Sequence, residues 1–265
     1  MKHNGVRLEG IILDMDGVIW RGKRLLPGVK AFLHAMQLHA MAYIFATNNA
    51  TSTSEEIAAQ ALLFDLHLDP KKILTSPLAA VSYMQSKLQQ ESPVFVIGES
   101  GLVSAVEQAG YRIQSTAKDV EAVIVGLDRE VNWDKLSEAC YAIEQGALFI
   151  GTNMDPSFPT ERGNAPGNGA ILHAIEHVTG VAAVVLGKPE PYLYLKGAQL
   201  LSLEPKSILV VGDRLETDIE GGKRAGMATA LVLTGISSRA EIDRYPSKPD
   251  FIYETLDQLG AALWP

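Results

Sequence analysis

Short apolar runs alternate along this chain with stretches whose apolar positions recur every three or four residues. Ile11-Ile12-Leu13 has no polar face and fits a strand buried on both sides. Val29, Phe32, Leu33 and Met36 follow at i, i+3, i+4 and i+7, the spacing of one helix face. Met41 to Thr47 reads as the next strand. Thr53 with Glu56 forms a capping box opening the helix that carries Ile57, Ala61 and Leu62. Ile73 to Ser76 is a short strand, and Pro77 starts another helix. Strands are then predicted at Val94–Ile97, Ala122–Val125 and Leu148–Ile150, with helices near Leu102–Ala109, Lys135–Glu144 and Gly169–Val178. Ala183–Leu186, Ser207–Val211, Thr229–Leu233 and Phe251–Ile252 complete the strands, and Gly226 reads as a left-handed helix cap. Strand and helix in alternation predict an α/β fold with a mostly parallel sheet.

The strands differ in how they end. Four end in polar clusters: Asp14 and Asp16, Thr47-Asn48-Asn49, Lys188, and Asp213 with Asp218. Those between about Gln85 and Gly180 end with few charges. This contrast predicts a core of 1–79 and 181–265 interrupted by a second α/β module at 80–180. Two connections stand out. Trp20 to Pro27 reads as a short turn region, and TNMDPSFPTERGNAPGNG, Thr152 to Gly169, reads as a long functional loop rich in Gly, Pro and Asn.

Composition narrows the picture. The 265 residues suffice for one large domain or two modest ones. A net charge of -8 opposes a broad nucleic-acid surface or an anionic membrane surface as partner, but not a small anionic substrate. No apolar stretch reaches membrane-spanning length and MKHNGVRLEG has no signal-peptide apolar region, so a cytoplasmic location is expected. Cys140, the single cysteine, falls on a helical apolar face with Leu136, Ala139 and Ile143 and is expected in the core. His34, His39, His67, His173 and His177 share no spacing with the polar strand ends and are expected to be structural.

Asp14 and Asp16, two acids at i and i+2 closing a buried strand, are costly to desolvate without a cation. In an open parallel sheet, ligands sit beyond the carboxyl ends of the strands, so residues distant in sequence can converge there. Several carboxylates, one lysine and one hydroxyl suit Mg²⁺ with a phosphate. The absence of histidine and cysteine from these strand ends argues against zinc. One aspartate could attack phosphorus, a metal and lysine could stabilise the phosphoryl group in flight, and a second carboxyl two residues on could protonate the leaving group.

In order, ILDMDGVI, ATNN, GKPEP and VGDRLETDI resemble the four motifs of the haloacid dehalogenase-like hydrolases. More narrowly, the chain resembles the NagD-type or p-nitrophenylphosphatase-like subfamily, subclass IIA, whose cap domain lies between the second and third motifs. TNMDPSFPTERG…PGNGA resembles that cap's loop. The resemblance implies a Rossmann-like core with an inserted α/β cap. It also implies Mg²⁺-dependent hydrolysis of a small phosphate monoester through an aspartyl phosphate. Sugar phosphates, phosphoglycolate, glycerol phosphate, nucleotides and pyridoxal phosphate all remain open, with p-nitrophenyl phosphate as a test substrate. By the same resemblance Asp14 is the nucleophile and Asp16 the general acid/base. Asp14, the Asp16 carbonyl and Asp213 would hold Mg²⁺. Thr47, the backbone of Asn48, the Asn49 side chain and Lys188 would bind the phosphoryl group, with Asp218 orienting the metal waters or Lys188.

Two positions depart from the pattern. Ala50 stands where many relatives have Ser, and Phe158 where some place a polar substrate contact. Asp155, Phe158 and Arg162 of the cap loop are the expected specificity residues, and cap closure is expected to exclude water. A homodimer through the cap is an expectation at family level only. Two other functions fit parts of the pattern: a receiver-type phosphoaspartate signalling module, and a non-catalytic protein that binds a phosphate ligand. The acid spacing and the extra domain oppose the first, and the intact motif set opposes the second. Trp20 either lines the entrance or packs, and Arg214 fits a surface arginine.

Overall fold

The computed structural model describes Lys2, His3 and residues 5–265. The chain divides into two compact units: Met1–Thr47, Ala58–Leu74 and Lys188–Pro265 form the first, Asn48–Ile57 and Thr75–Gly187 the second.

The first unit is built on a six-stranded sheet in the order Phe251–Tyr253, Ala228–Val232, Ile208–Gly212, Gly10–Leu13, Ala42–Thr47, Ile73–Thr75. Gly10–Leu13 lies at its centre, paired in parallel with Ile208–Gly212 and Ala42–Thr47. All four of its residues are buried, as its unbroken apolar run requires. Helix Val29–Leu38 buries Val29, Phe32 and Met36, the expected face. Helix Pro191–Leu201 starts with its proline in the first turn and buries Leu193, Tyr194, Gly197 and Ala198. The register sets Leu13 between Val211 and Phe45. Three strands therefore finish at nearly the same level, which brings the ends bearing Asp14, Thr47 and Asp213 side by side.

The second unit carries a five-stranded parallel sheet in the order Val184–Val185, Leu148–Gly151, Ala122–Val125, Pro93–Ile97, Arg112–Gln114. Helices Trp133–Glu144 and Asn168–Thr179 supply Ala139, Cys140, Ile143, Leu172 and Ile175 to its core. Cys140 is thus a packed core thiol. The Thr53 capping box is formed: Thr53 N–H donates to Glu56 Oε2 at 2.8 Å, and Glu56 N–H to Thr53 Oγ1 at 3.1 Å. No helix among the described residues is long and apolar enough to cross a membrane.

Three expectations need correction. The segment read as a long loop contains an antiparallel hairpin, Ser157–Thr160 with Gly163–Pro166, tightened by Thr160 Oγ1 donating to the Gly163 carbonyl at 2.6 Å. Its prolines and glycines hid the strand pattern, because they are depleted in ordinary strands. The turn region after Trp20 is also a hairpin, Trp20–Arg21 with Arg24–Leu25. Finally, the strand before Lys188 does not belong to the sheet carrying Asp14. Val184–Val185 pairs with Leu148–Gly151 at the edge of the second sheet. Lys188 therefore comes from the segment leading into helix Pro191–Leu201, and three polar clusters, not four, end strands of the first sheet.

Candidate active site

Asp14 follows Leu13 directly, and its backbone N–H donates to the Val211 carbonyl at 2.9 Å, so the sheet extends to the residue itself. Its carboxylate is buried, and Lys188 Nζ donates to Asp14 Oδ1 in a short contact. The same ammonium donates to Asp218 Oδ1 at 2.8 Å. Burial alone would lower the Lys188 pKa, but the charges of Asp14 and Asp218 outweigh it and hold the ammonium above its ordinary value. Lys188 is therefore charged, and it forms the hub of the site.

Asp218 comes from a wide turn after the third of these strands. Residues Leu215–Ile219 form a π-helical turn, a local form often found at functional sites. Asp218 accepts two further hydrogen bonds, from Tyr194 Oη at 3.2 Å and from the Arg214 N–H at 3.2 Å. Tyr194 is fully buried, and burial together with the Asp218 charge keeps its phenol protonated to higher pH than usual. Three donors, Lys188 Nζ, Tyr194 Oη and the Arg214 N–H, thus fix one carboxylate. Sequence reading missed Tyr194; its place six residues after Lys188, on the face of a helix opening with Pro, was the available signal.

Asp213 directly follows strand Ile208–Gly212. Its Oδ2 accepts the Ile236 N–H at 2.7 Å, while its Oδ1 is buried without a hydrogen-bond partner. Two glycines crowd this carboxylate. A Cβ on Gly17, whose φ is +83°, would stand 2.3 Å from Asp213 Oδ2, and one on Gly235 only 1.8 Å from it. Burial first, then repulsion from Asp218, pushes the Asp213 carboxyl up to about 7. Burial also pushes Asp14 well above the usual carboxylate range, against the pull of Lys188.

One oxygen from each of Asp14, Asp213 and Asp218 lies within 4.8 Å of the others. When ionised, three carboxylates against one ammonium leave an excess of two negative charges. An orphaned buried carboxylate oxygen among hard donors, with that charge excess, fits a divalent hard cation such as Mg²⁺.

Asp16 differs from this buried group, since its side chain reaches solvent. The surrounding protein still raises its carboxyl pKa by desolvation, and the Trp20 indole pulls it back. Trp20 Nε1 donates to Asp16 Oδ1 at 3.2 Å. Trp20 is itself buried and stacks on Phe64, ring centroids 5.9 Å apart. Trp20 therefore packs.

Thr47 ends its strand as a buried residue in the first unit. Asn48 and Asn49 begin the second unit. There the Asn48 carbonyl accepts from Ser76 Oγ and from Asn153 Nδ2, both at 2.9 Å, and Asn48 Nδ2 donates to Asp155 Oδ2 at 3.2 Å. Asn49 Oδ1 accepts Thr51 N–H at 2.8 Å and Thr51 Oγ1 at 2.9 Å, a local Asx turn. Ala50 is buried, and its methyl would lie 3.3 Å from a Cβ on Gly126. Asp155 thus holds Asn48. Phe158 lies on the hairpin opposite Ala165, and Arg162 is exposed in its turn. Arg214 is half-buried, and its Nε has no hydrogen-bond partner.

Two family models match the chain. Residues 11–112 match that of the haloacid dehalogenase-like hydrolases, and residues 185–259 a HAD-hydrolase-like model. An acid sugar phosphatase of Staphylococcus aureus is 35% identical over 257 residues, covering 96% of this chain and 98% of its own. NagD from Escherichia coli K-12 superposes with a TM-score of 0.88 at 31% identity, over 96% of this chain and 98% of that one. A glycerol phosphate phosphatase of Mycobacterium tuberculosis, solved in complex with magnesium, gives a TM-score of 0.87 at 32% identity, over 96% of this chain and 76% of that one.

Proposed function

From the premise that this chain belongs to the haloacid dehalogenase-like hydrolases, in the NagD-type subfamily, and is a phosphatase, we propose that it hydrolyses a small phosphate monoester with Mg²⁺ through a phosphorylated Asp14. The observation that carries this reading is the Lys188 ammonium held between Asp14 and Asp218 beside the orphaned Asp213 oxygen. A nucleophile and a phosphoryl charge are served from one point.

Lys188 fixes Asp14 Oδ1, which leaves Oδ2 to attack phosphorus. The P–O bond to the leaving group breaks as the new P–O bond to Asp14 forms. Asp16, in its acid form, gives its proton to the departing oxygen. Water then attacks the phosphorus, Asp16 takes the proton back, and the bond to Asp14 breaks to release inorganic phosphate. Lys188 neutralises part of the charge on the transferring group, while Tyr194 and Arg214 N–H hold Asp218 so that the ammonium keeps its position. Asp14 and Asp213, with the carbonyl of Asp16, would hold Mg²⁺, which supplies electrostatic stabilisation of the phosphoryl oxygens. Thr47, Asn48 and Asn49 are assigned to the phosphoryl oxygens, and the second unit is read as the cap. In this reading Phe158 and Arg162 of its hairpin choose the leaving group, and Asp155 acts by holding Asn48.

Purified protein is expected to hydrolyse p-nitrophenyl phosphate in Mg²⁺, with turnover abolished in Asp14→Asn. Full turnover in that variant would sink the assignment. A panel of phosphorylated metabolites then identifies the substrate class.

A further inference from the structure

The segment after Asp14 closes on itself. Gly17 N–H donates to the Trp20 carbonyl at 2.7 Å, and the N–H groups of Ile19 and Trp20 donate to the Met15 carbonyl at 2.8 and 3.3 Å. Val18 and Ile19 are wholly buried. This turn returns Trp20 to Asp16 four residues later, where the two form an isolated backbone bridge as well as the side-chain hydrogen bond. Trp20 is pinned by its pairing with Leu25 and its stack on Phe64.

We propose that Trp20 is a positioning residue for the proton transfer to the leaving group: its indole N–H, at 3.2 Å from Asp16 Oδ1, holds the solvent-facing carboxyl of Asp16 in one orientation. The indole N–H can only donate. It therefore ties Oδ1 as an acceptor and leaves the Asp16 proton on Oδ2. A carboxyl that reaches solvent has little else to fix its rotamer, and a misplaced general acid loses its advantage. This inference rests on the phosphatase reading above, in which Asp16 is the acid.

Leaving-group dependence separates this role from a structural one. p-Nitrophenolate departs with little need of a proton. Phenolate, with the basicity of a tyrosinate (pKa about 10), needs one. kcat/KM is the quantity to compare, because it reports only the steps through the first phosphoryl transfer. In Trp20→Phe, kcat/KM for phenyl phosphate should fall about tenfold or more, and for p-nitrophenyl phosphate about threefold or less. Asp16→Asn should show the same bias more strongly. Replacing Trp20 with 3-benzothienylalanine keeps the bicyclic shape and removes only the N–H, so it gives the same bias even if Trp20→Phe folds poorly. Equal losses for the two substrates in the benzothienyl variant, or no loss, with wild-type turnover intact, overturn the Trp20 assignment alone. Absent wild-type turnover, or full turnover in Asp14→Asn, overturns the phosphatase reading and this inference together.

Discussion

The two sheets of this protein are built alike and end differently. Each has its central strands paired in parallel, each is buried under helices, and each has strands that finish in buried polar residues. In the first sheet those residues are charged: Asp14 and Asp213, with Lys188 and Asp218 added from turns. In the second, Thr152 and Asn153 after Leu148–Gly151 are neutral, with Asn168 opening the next helix, and the buried Asp128 after Ala122–Val125 is matched by Lys135 at 2.7 Å. Asn168 Nδ2 donates to the carbonyls of Asn153 at 2.8 Å and Val125 at 3.2 Å. Amides at a strand end satisfy backbone groups and lock the local fold. Carboxylates there repel one another and call for a cation and an anionic reactant. The same architecture thus serves as a frame in one unit and a reaction centre in the other, and only the residues at the strand ends tell them apart.

Removing the hub should expose this difference most strongly. Lys188→Met leaves Asp14 and Asp218 buried without a counter-charge, so near neutral pH it should cost about 3–5 kcal/mol of stability and nearly all activity. Denaturant midpoints with p-nitrophenyl phosphate assays give both numbers. A variant as stable and active as wild type would erase the distinction between the sheets.

Metal removal comes next. Asp213 titrates near 7 in the folded protein, against 3.8 for an ordinary carboxyl. The folded state holds this proton more tightly than the unfolded one. Its contribution to stability is therefore full below about pH 4 and is lost as pH rises through about 7. Mg²⁺ needs the ionised carboxylates, so its stabilising effect should grow over the same window. At a hundredfold excess over Kd it should reach about 2.7 kcal/mol. Melting curves in Mg²⁺ and in EDTA, from about pH 5 to about pH 8, measure the gap, which should widen with pH. A gap that shrinks as pH rises contradicts the charge account of the first sheet.

The smallest effect belongs to the second sheet. Asn168→Ala strips donors from two buried carbonyls and should cost about 1–2 kcal/mol in a denaturant melt. Turnover per folded molecule should fall far less than in Lys188→Met. If the two variants lose turnover equally, the amides of the second sheet are part of the chemistry.

Much of this contrast was readable in advance. The apolar runs marked the strands, Thr53 with Glu56 marked a helix start, and Gly226, with φ of +73°, marked a helix end. Each depends on local chemistry that the sequence states outright. The placement of Asp14 and Asp213 followed from strand ends, while that of Lys188 and Asp218 beside them was signalled by motif order alone. What stayed hidden depended on pairing across distance. Val184–Val185 is only two residues long, and nothing local says which sheet it joins. The hairpin at 157–166 is held by backbone register through prolines and glycines that carry no alternating pattern. Tyr194 looked like any core aromatic, because its hydrogen bond to Asp218 spans two elements. Trp20 could not be placed for the same reason, since only the folded turn brings its N–H to Asp16.

The most direct test of the central claim is to catch the phosphoryl group on the protein. Asp16→Asn should slow hydrolysis of the intermediate, so that acid quenching during turnover of p-nitrophenyl phosphate preserves it. One added phosphoryl group is expected, located by mass spectrometry to the peptide containing Asp14. Sustained phosphate release with no phosphorylated protein, or a phosphoryl group on another residue, would contradict the claim.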